Sequence, residues 1–206
     1  MSKRQLPPWL HGLLEWDKKI TKAAFDGFNA HFGYEKYRSH MKALELSCHG
    51  LIWLAGCIAM LYFGFNATCW VNMLVLQVLD IVLIAVIKAF VRRRRPALCV
   101  DDMFFTKGPD KFSFPSGHAS RGFAVAFFFL YLYPVGVFLN LPIVIWAVMT
   151  AISRVCLARH HILDVVGGLV LALVEYGLMS VLWLSDESSV KWAGFLYDVE
   201  DPWSSG

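Results

Sequence analysis

The chain has 206 residues, 57% hydrophobic and 17% charged, with a formal net charge of +3 and a mean hydropathy of +0.52. It is too apolar for an ordinary soluble domain and belongs in a bilayer, without nucleic acid as an expected partner. The length suits one bundle of five or six helices, and no composition shift, internal repeat or low-complexity segment marks a second domain.

Met1 to Pro8 is polar and proline-containing with no apolar stretch behind it, so no cleaved signal peptide is expected and the first hydrophobic crossing acts as the targeting signal. Residues 9–32 mix Trp9, Leu10, Leu13, Leu14, Trp16, Ile20, Phe25 and Phe28 with Lys18, Lys19, Lys22 and Asp26. This pattern predicts an amphipathic helix lying in the headgroup layer, the alternative being a cytosolic helix packed on the bundle. Apolar runs follow at 47–65, 71–91, 119–139, 141–157 and 162–184. A spanning helix needs roughly 20 apolar residues, so five crossings are expected. The tail from Ser185 is polar and acidic, and its Trp192, Phe195, Tyr197 and Trp203 read as interfacial anchors. The expected fold is an all-α integral membrane bundle of five, or six, transmembrane helices with an N-terminal interfacial helix. Its parts are an N-terminal segment 1–46, a membrane-embedded domain 47–185 and a C-terminal tail 186–206.

With five spans, the N-terminus, the 92–118 loop and the 153–162 loop share one face. Eighteen of the nineteen Lys and Arg residues lie on or at that side, Lys191 being the exception. The excess of basic residues makes it cytosolic. Five scattered cysteines (48, 57, 69, 99 and 156) without a CxxC pair support neither a disulfide framework nor a zinc site.

Three polar islands interrupt the apolar runs: Lys88 with Arg92 to Arg95 and Pro96; Pro115-Ser116-Gly117-His118; and Ser153 to Asp164. Ionisable groups at the edge of hydrophobic segments are costly unless they face a polar cavity, so each island is a candidate for function. Phosphate chemistry asks for fixed positive charge, a nucleophile in line and an acid near the leaving oxygen. Lys88, Arg95 and Arg154 supply the charge, Lys as a point charge and Arg as a planar fork. The amides of Ser116 and Gly117 add donors at a helix N-terminus. If a helix opens after Arg159, His160 and Asp164 stand four residues apart on one face. The Asp164 carboxylate then takes the Nδ1 proton of His160 and leaves Nε2 as nucleophile. His118 protonates the leaving group and later serves as base for the hydrolysis of a phosphohistidine.

Lys88-x6-Arg95-Pro96, Pro115-Ser116-Gly117-His118 and Ser153-Arg154-x5-His160-x3-Asp164 together resemble the three signature motifs of the type 2 phosphatidic acid phosphatase (lipid phosphate phosphatase) superfamily, which includes the vanadium haloperoxidases. The segments Lys88 to Ala97, Asp110 to Ala119 and Leu44 to Gly50 look most like its presqualene diphosphate phosphatase (polyisoprenoid diphosphate phosphohydrolase) branch, over about residues 40 to 185. The resemblance implies a metal-independent enzyme of the endoplasmic reticulum or nuclear envelope. It would need no cofactor and act on isoprenoid diphosphates and monophosphates. A broad lipid phosphate phosphatase taking phosphatidate, lysophosphatidate or sphingosine phosphate is the nearest alternative. A catalytically inactive membrane scaffold is another, although no signature residue is lost, and a haloperoxidase is remote. Oligomeric state is left open.

Several neighbours read as plain structure. Arg92, Arg93 and Arg94 read as a topology anchor, Glu45 and His49 as interfacial packing, His161 as a residue behind the site or at its rim, and Asp80 and Glu175 as structural groups, Asp80 either bonding a neighbouring helix or staying protonated. Arg159 suits either a second phosphate or a headgroup. Ser120 and Arg121, which follow His118, are candidates to orient it.

Overall fold

The computed structural model describes residues 7–99 and 111–194. The helices in order are α1 (Pro8–Phe32), α2 (Tyr34–Ser47), α3 (Gly50–Tyr62), α4 (Ala67–Val91), α5 (Gly117–Phe127), α6 (Val137–Cys156), α7 (Ile162–Leu182) and α8 (Asp186–Ala193). α5 runs directly into a π-helical turn, Phe128–Leu132. The whole 101–110 loop and the tail from residue 195, including Phe195, Tyr197 and Trp203, lie outside the described residues.

The side-chain pattern explains the bundle. On α4, Gln77, Asp80, Ile84 and Lys88 are buried, while Val78, Val82 and Val86 are exposed at a spacing of four residues. α7 repeats this: Asp164, Gly168, Leu171, Ala172, Glu175 and Met179 face inward, and Val166, Val170, Val174 and Val181 face out. A helix whose polar groups point in and whose valines point out is built for lipid, because its backbone is satisfied internally and its outer face has no need of water. α5 is the central element and packs chiefly on α7 and α6. The apolar core joins Cys57, Cys69, Met73, Leu76, Ala124, Val125, Phe128, Ala172 and Met179 from α3, α4, α5 with its π turn, and α7.

Among the described residues three helices, α4, α6 and α7, are long and apolar enough to cross a membrane, and α2 with α3 forms a fourth candidate bent by 51°. The chain is thus an all-helical integral membrane protein, with fewer full-length spans than the five expected. Two runs account for the difference. The run 47–65 yields a helix of 13 residues, Gly50–Tyr62, since the chain breaks at Cys48 and His49 before continuing. The run 119–139 ends at Leu132, and Gly136, at φ 91°, turns the chain into α6. The turn therefore lies at 133–136 and not at 140, and Pro142 sits inside α6 without ending it.

Buried charge ties the helices together below the functional end. Arg121 on α5 pairs with Asp80 on α4 through Nη2 and donates from Nη1 to the Cys48 carbonyl at 3.1 Å. Ser120 donates to Glu175 on α7 at 3.4 Å. A carboxylate in this setting is tolerable only when so paired. Asp80 thus bonds a neighbouring helix, one of the two readings expected of it, and Glu175 does so as well, whereas Ser120 and Arg121 bond α7, α4 and the α2–α3 break instead of His118.

Helices α1 and α8 are also docked. Asp17 and Thr21 of α1 are buried, while Trp9, Leu13, Trp16 and Ile20 form an exposed stripe at spacings of four, three and four. α8 packs on α4, where Thr68 donates to Asp186 at 2.6 Å.

Candidate active site

The three polar islands meet at one end of the bundle, because α4 and α6 finish there while α5 and α7 begin there. Lys88 lies one turn inside the end of α4 and is buried at 2% exposure. Arg92 then adopts a left-handed conformation, φ 52°, and turns the chain so that Arg93 to Arg95 cross the bundle end. Ser116 caps α5, its hydroxyl accepting from the Ala119 amide. After α6, Ala158 is also left-handed, φ 51°. The amides of Arg159 and His160 both return to the Arg154 carbonyl, at 2.9 and 3.2 Å. That reversal folds His160 back over the helix end beside Arg154, and α7 starts only at Ile162.

His160 is 2% exposed, and its Nδ1 donates to the Ser113 carbonyl at 2.7 Å. A carbonyl can only accept, so the contact fixes the tautomer and leaves Nε2 with its lone pair. Burial, followed by the charges of Arg95, Lys88 and Arg154, holds the His160 imidazole well below its ordinary range. The same cations surround the other histidine. His118 lies within the fields of Arg154, Arg121, His160 and Lys88, and its Nε2 is buried without a hydrogen-bond partner. Arg154 is fully buried; Nη2 donates to Glu45 at 3.2 Å, while Nε and Nη1 have no partner. Two histidine rings and a half-committed guanidinium thus converge where an anion with several acceptor oxygens would satisfy them.

Two expected contacts are corrected. Asp164 does not take the Nδ1 proton of His160: its Oδ2 stands 3.8 Å away, beyond a hydrogen bond. The i, i+4 spacing needs a helix that opens after Arg159, whereas both residues before Ile162 are extended or turned. Asp164 instead accepts from the His161 amide at 2.8 Å, lies 3.2 Å from His161 Nδ1, and receives Arg93 Nη1 at 2.7 Å. The second correction concerns Ser116, whose amide donates to the Asp164 carbonyl at 2.9 Å and so holds α5 to α7. Gly117, the first residue of α5, keeps the expected place at a helix N-terminus.

Sequence reasoning passed over two other residues. Glu45 is no interfacial packing group: it is buried, bonded to Arg154 and 3.7 Å from Arg159 Nε. Arg93 is no mere anchor: it joins Asp164 to Asp17. A carboxylate one turn ahead of the first apolar run, and a four-arginine run longer than anchoring needs, were the available signals.

The sequence model of the PAP2 superfamily matches residues 67–185. The chain belongs to the PAP2 superfamily. It is 36% identical over 121 residues to an Arabidopsis thaliana protein named probable lipid phosphate phosphatase beta, an alignment covering 47% of this chain and 57% of that relative. The chain therefore spans little more than half the length of that plant protein. Among solved structures, the fold is similar to the first transmembrane PAP2-type phosphatidylglycerolphosphate phosphatase from Bacillus subtilis. The TM-score is 0.61 at 25% identity, over 83% of this chain and 86% of that one. Within this PAP2 protein, the family match takes in every residue of the converging site from Lys88 to Asp164.

Proposed function

We propose that this PAP2 protein is a phosphohydrolase that removes the terminal phosphate from isoprenoid diphosphates and monophosphates through a phosphohistidine at His160. The observation that carries the reading is the pairing of His160, with Nδ1 committed to Ser113, and His118, with Nε2 unpartnered, beside Arg154. The motifs' likeness to the isoprenoid branch supports the substrate class.

His160 Nε2 attacks phosphorus, a P–N bond forms and the bond to the leaving oxygen breaks. His118 gives that oxygen its proton. Water then attacks the phosphohistidine, passing a proton to His118, and the P–N bond breaks to release phosphate. Lys88, Arg95 and Arg154, with the Gly117 end of α5, neutralise charge on the three equatorial oxygens. Ser116 holds that helix end in place. Asp164 acts from 3.8 Å as a fixed negative charge that favours the imidazolium-like ring of the intermediate.

A broad lipid phosphate phosphatase is the second reading, favoured by the name of the Arabidopsis relative. Purified protein in detergent with EDTA should release inorganic phosphate from farnesyl or presqualene diphosphate faster than from phosphatidate, and vanadate should inhibit by adopting the five-coordinate geometry of the transition state. Faster turnover of phosphatidate would select the second reading. A strict Mg²⁺ requirement would remove the metal-independent mechanism.

In this reading, residues 1–46 form the N-terminal segment, 47–185 the phosphatase domain and 186–206 the tail, in the endoplasmic-reticulum membrane with the site towards the cytosol. The basic residues of the N-terminal 42 positions lie outside the site and support that orientation. A cysteine placed in the 101–110 loop should react with an impermeant thiol reagent in sealed vesicles, and reaction only after permeabilisation would turn the site to the lumen.

A further inference from the structure

We infer that α1 is a working part of the catalytic end, with Asp17 acting through Arg93 as a positioning residue for His160. The inference rests on the phosphohydrolase reading for its kinetic consequence, but its geometric basis is separate.

α1 is laid on the bundle in an unusual sense. It buries a carboxylate at 1% exposure and leaves Trp9 at 70% and Trp16 at 57%. Burying an unpaired carboxylate is expensive, so the orientation requires compensation from whatever Asp17 meets. It meets the start of α7. Asp17 Oδ1 accepts the Leu163 amide at 3.1 Å, and Thr21 Oγ1 accepts the Ile162 amide at 3.0 Å. The opening amides of a helix are normally capped from the preceding residue. Here two of them are capped by side chains lying more than 140 residues earlier in sequence.

Arg93 converts this cap into control of the nucleophile. One arm of its guanidinium holds Asp17 Oδ2 and the other holds Asp164 Oδ1. Its carbonyl receives both the amide and the hydroxyl of Ser113, at 2.8 and 3.2 Å. The Ser113 carbonyl in turn accepts the hydrogen bond from Nδ1–H of His160. Arg93 thus carries the group that orients the imidazole and also grips the carboxylate beside it. A guanidinium bonded on two sides is fixed in plane; bonded on one side it can swing. Loss of the Asp17 charge leaves Arg93 with one anchor and weakens the seat of α7, so the error passes to His160. The phosphate-binding cations Lys88 and Arg154 are carried by α4 and α6, so their hold on substrate is largely retained.

The test compares Asp17→Asn, Asp17→Glu, Thr21→Val and Thr21→Ser in the full-length protein, with Lys22→Ala on the exposed side of α1 as control. Asp17→Asn should lower kcat roughly 10- to 100-fold, the cost of a small misplacement of a reacting group, while KM stays within about threefold. Asp17→Glu should recover part of the loss, and Thr21→Ser should exceed Thr21→Val. Independently of turnover, diethyl pyrocarbonate should modify His160 several-fold faster in Asp17→Asn, with exposed His31 as internal reference. Wild-type kcat in Asp17→Asn, or a fallen kcat without faster His160 modification, overturns the positioning role. If Asp17→Asn does not fold, equal kcat and equal His160 modification in the two Thr21 variants overturn it. A wild-type chain that releases no phosphate, yet shows faster His160 modification on loss of Asp17, would remove the phosphohydrolase reading and leave the positioning role intact.

Discussion

His160→Ala should leave roughly 1% or less of wild-type turnover, because deletion of a covalent nucleophile commonly costs several powers of ten. His161→Ala separates chemistry from architecture. His161 is buried and its ring Nδ1 lies 3.2 Å from Asp164 Oδ2 at the start of α7, so loss of the ring should cost about 1 kcal/mol of stability, on the scale of a lost helix cap, and retain most activity. The two neighbouring imidazoles also predict a pH signature. His160 is held well below its ordinary value by burial and by Arg95, Lys88 and Arg154, so it stays neutral as pH falls through about 6.5, where a free imidazole would protonate. The acid limb of kcat/KM that belongs to His160 should therefore lie below pH 6.5. Bound phosphate offsets the neighbouring cations, so the matching limb of kcat should lie higher than that of kcat/KM. Retained turnover in His160→Ala would sink the assignment.

Gly168→Ala should disable the enzyme by steric means alone. Gly168 lies on α7 directly beneath the Ser116–Ser120 turn; a Cβ there would stand 2.7 Å from the Ser116 carbonyl oxygen and 2.9 Å from the Ser120 nitrogen. Both neighbours are backbone and have no rotamer into which to retreat. The start of α5 must move, carrying Gly117 and His118 with it. A shift on the order of 1 Å costs about 100-fold in rate, and overpacking of this kind costs about 1–3 kcal/mol in stability. Gly167→Ala meets the Phe114 ring first, at 2.5 Å, and should be milder because a side chain can yield. Gly177, on the same helix with nothing within 4 Å, is the control: alanine there should be neutral or stabilising by up to about 1 kcal/mol. Thermal unfolding and phosphate release on the three variants check the ranking, and a fully active Gly168→Ala would contradict the packing of α5 on α7.

The residues that converge on the site were legible because phosphate chemistry demands charged side chains, and charged side chains stand out between apolar runs. Lys88, Arg95, His118, Arg154 and His160 were all visible in that way. The supports behind them were not. Ser113 acts through its carbonyl, which every residue possesses, so no sequence pattern marks it as the partner of His160. The expected Asp164–His160 hydrogen bond is absent for reasons of local geometry: a left-handed Ala158 carries no glycine to announce it, and the helix starts two residues later than the spacing suggested. Glu45 and Asp17 belong to helices whose tertiary placement decides everything, since a lone carboxylate beside lysines reads as surface until a buried arginine is found opposite it. The number of long spans differs from the expected five for a related reason. Hydropathy registers that residues 47–65 and 119–139 are apolar, but not that the backbone bends at Cys48 and His49 or turns at Gly136.

The measurement that bears most directly on the mechanism is capture of the phosphoenzyme. Wild-type protein mixed with substrate radiolabelled in its terminal phosphate, quenched within one turnover in alkali and digested, should yield a base-stable, acid-labile phosphate on the peptide carrying His160. His118→Ala, which lacks the acid and base, should be tested alongside for slower formation and slower loss of the same label. Label on His160 is the expected result; label on His161, on His118 or on no residue while phosphate is released in a burst would contradict it.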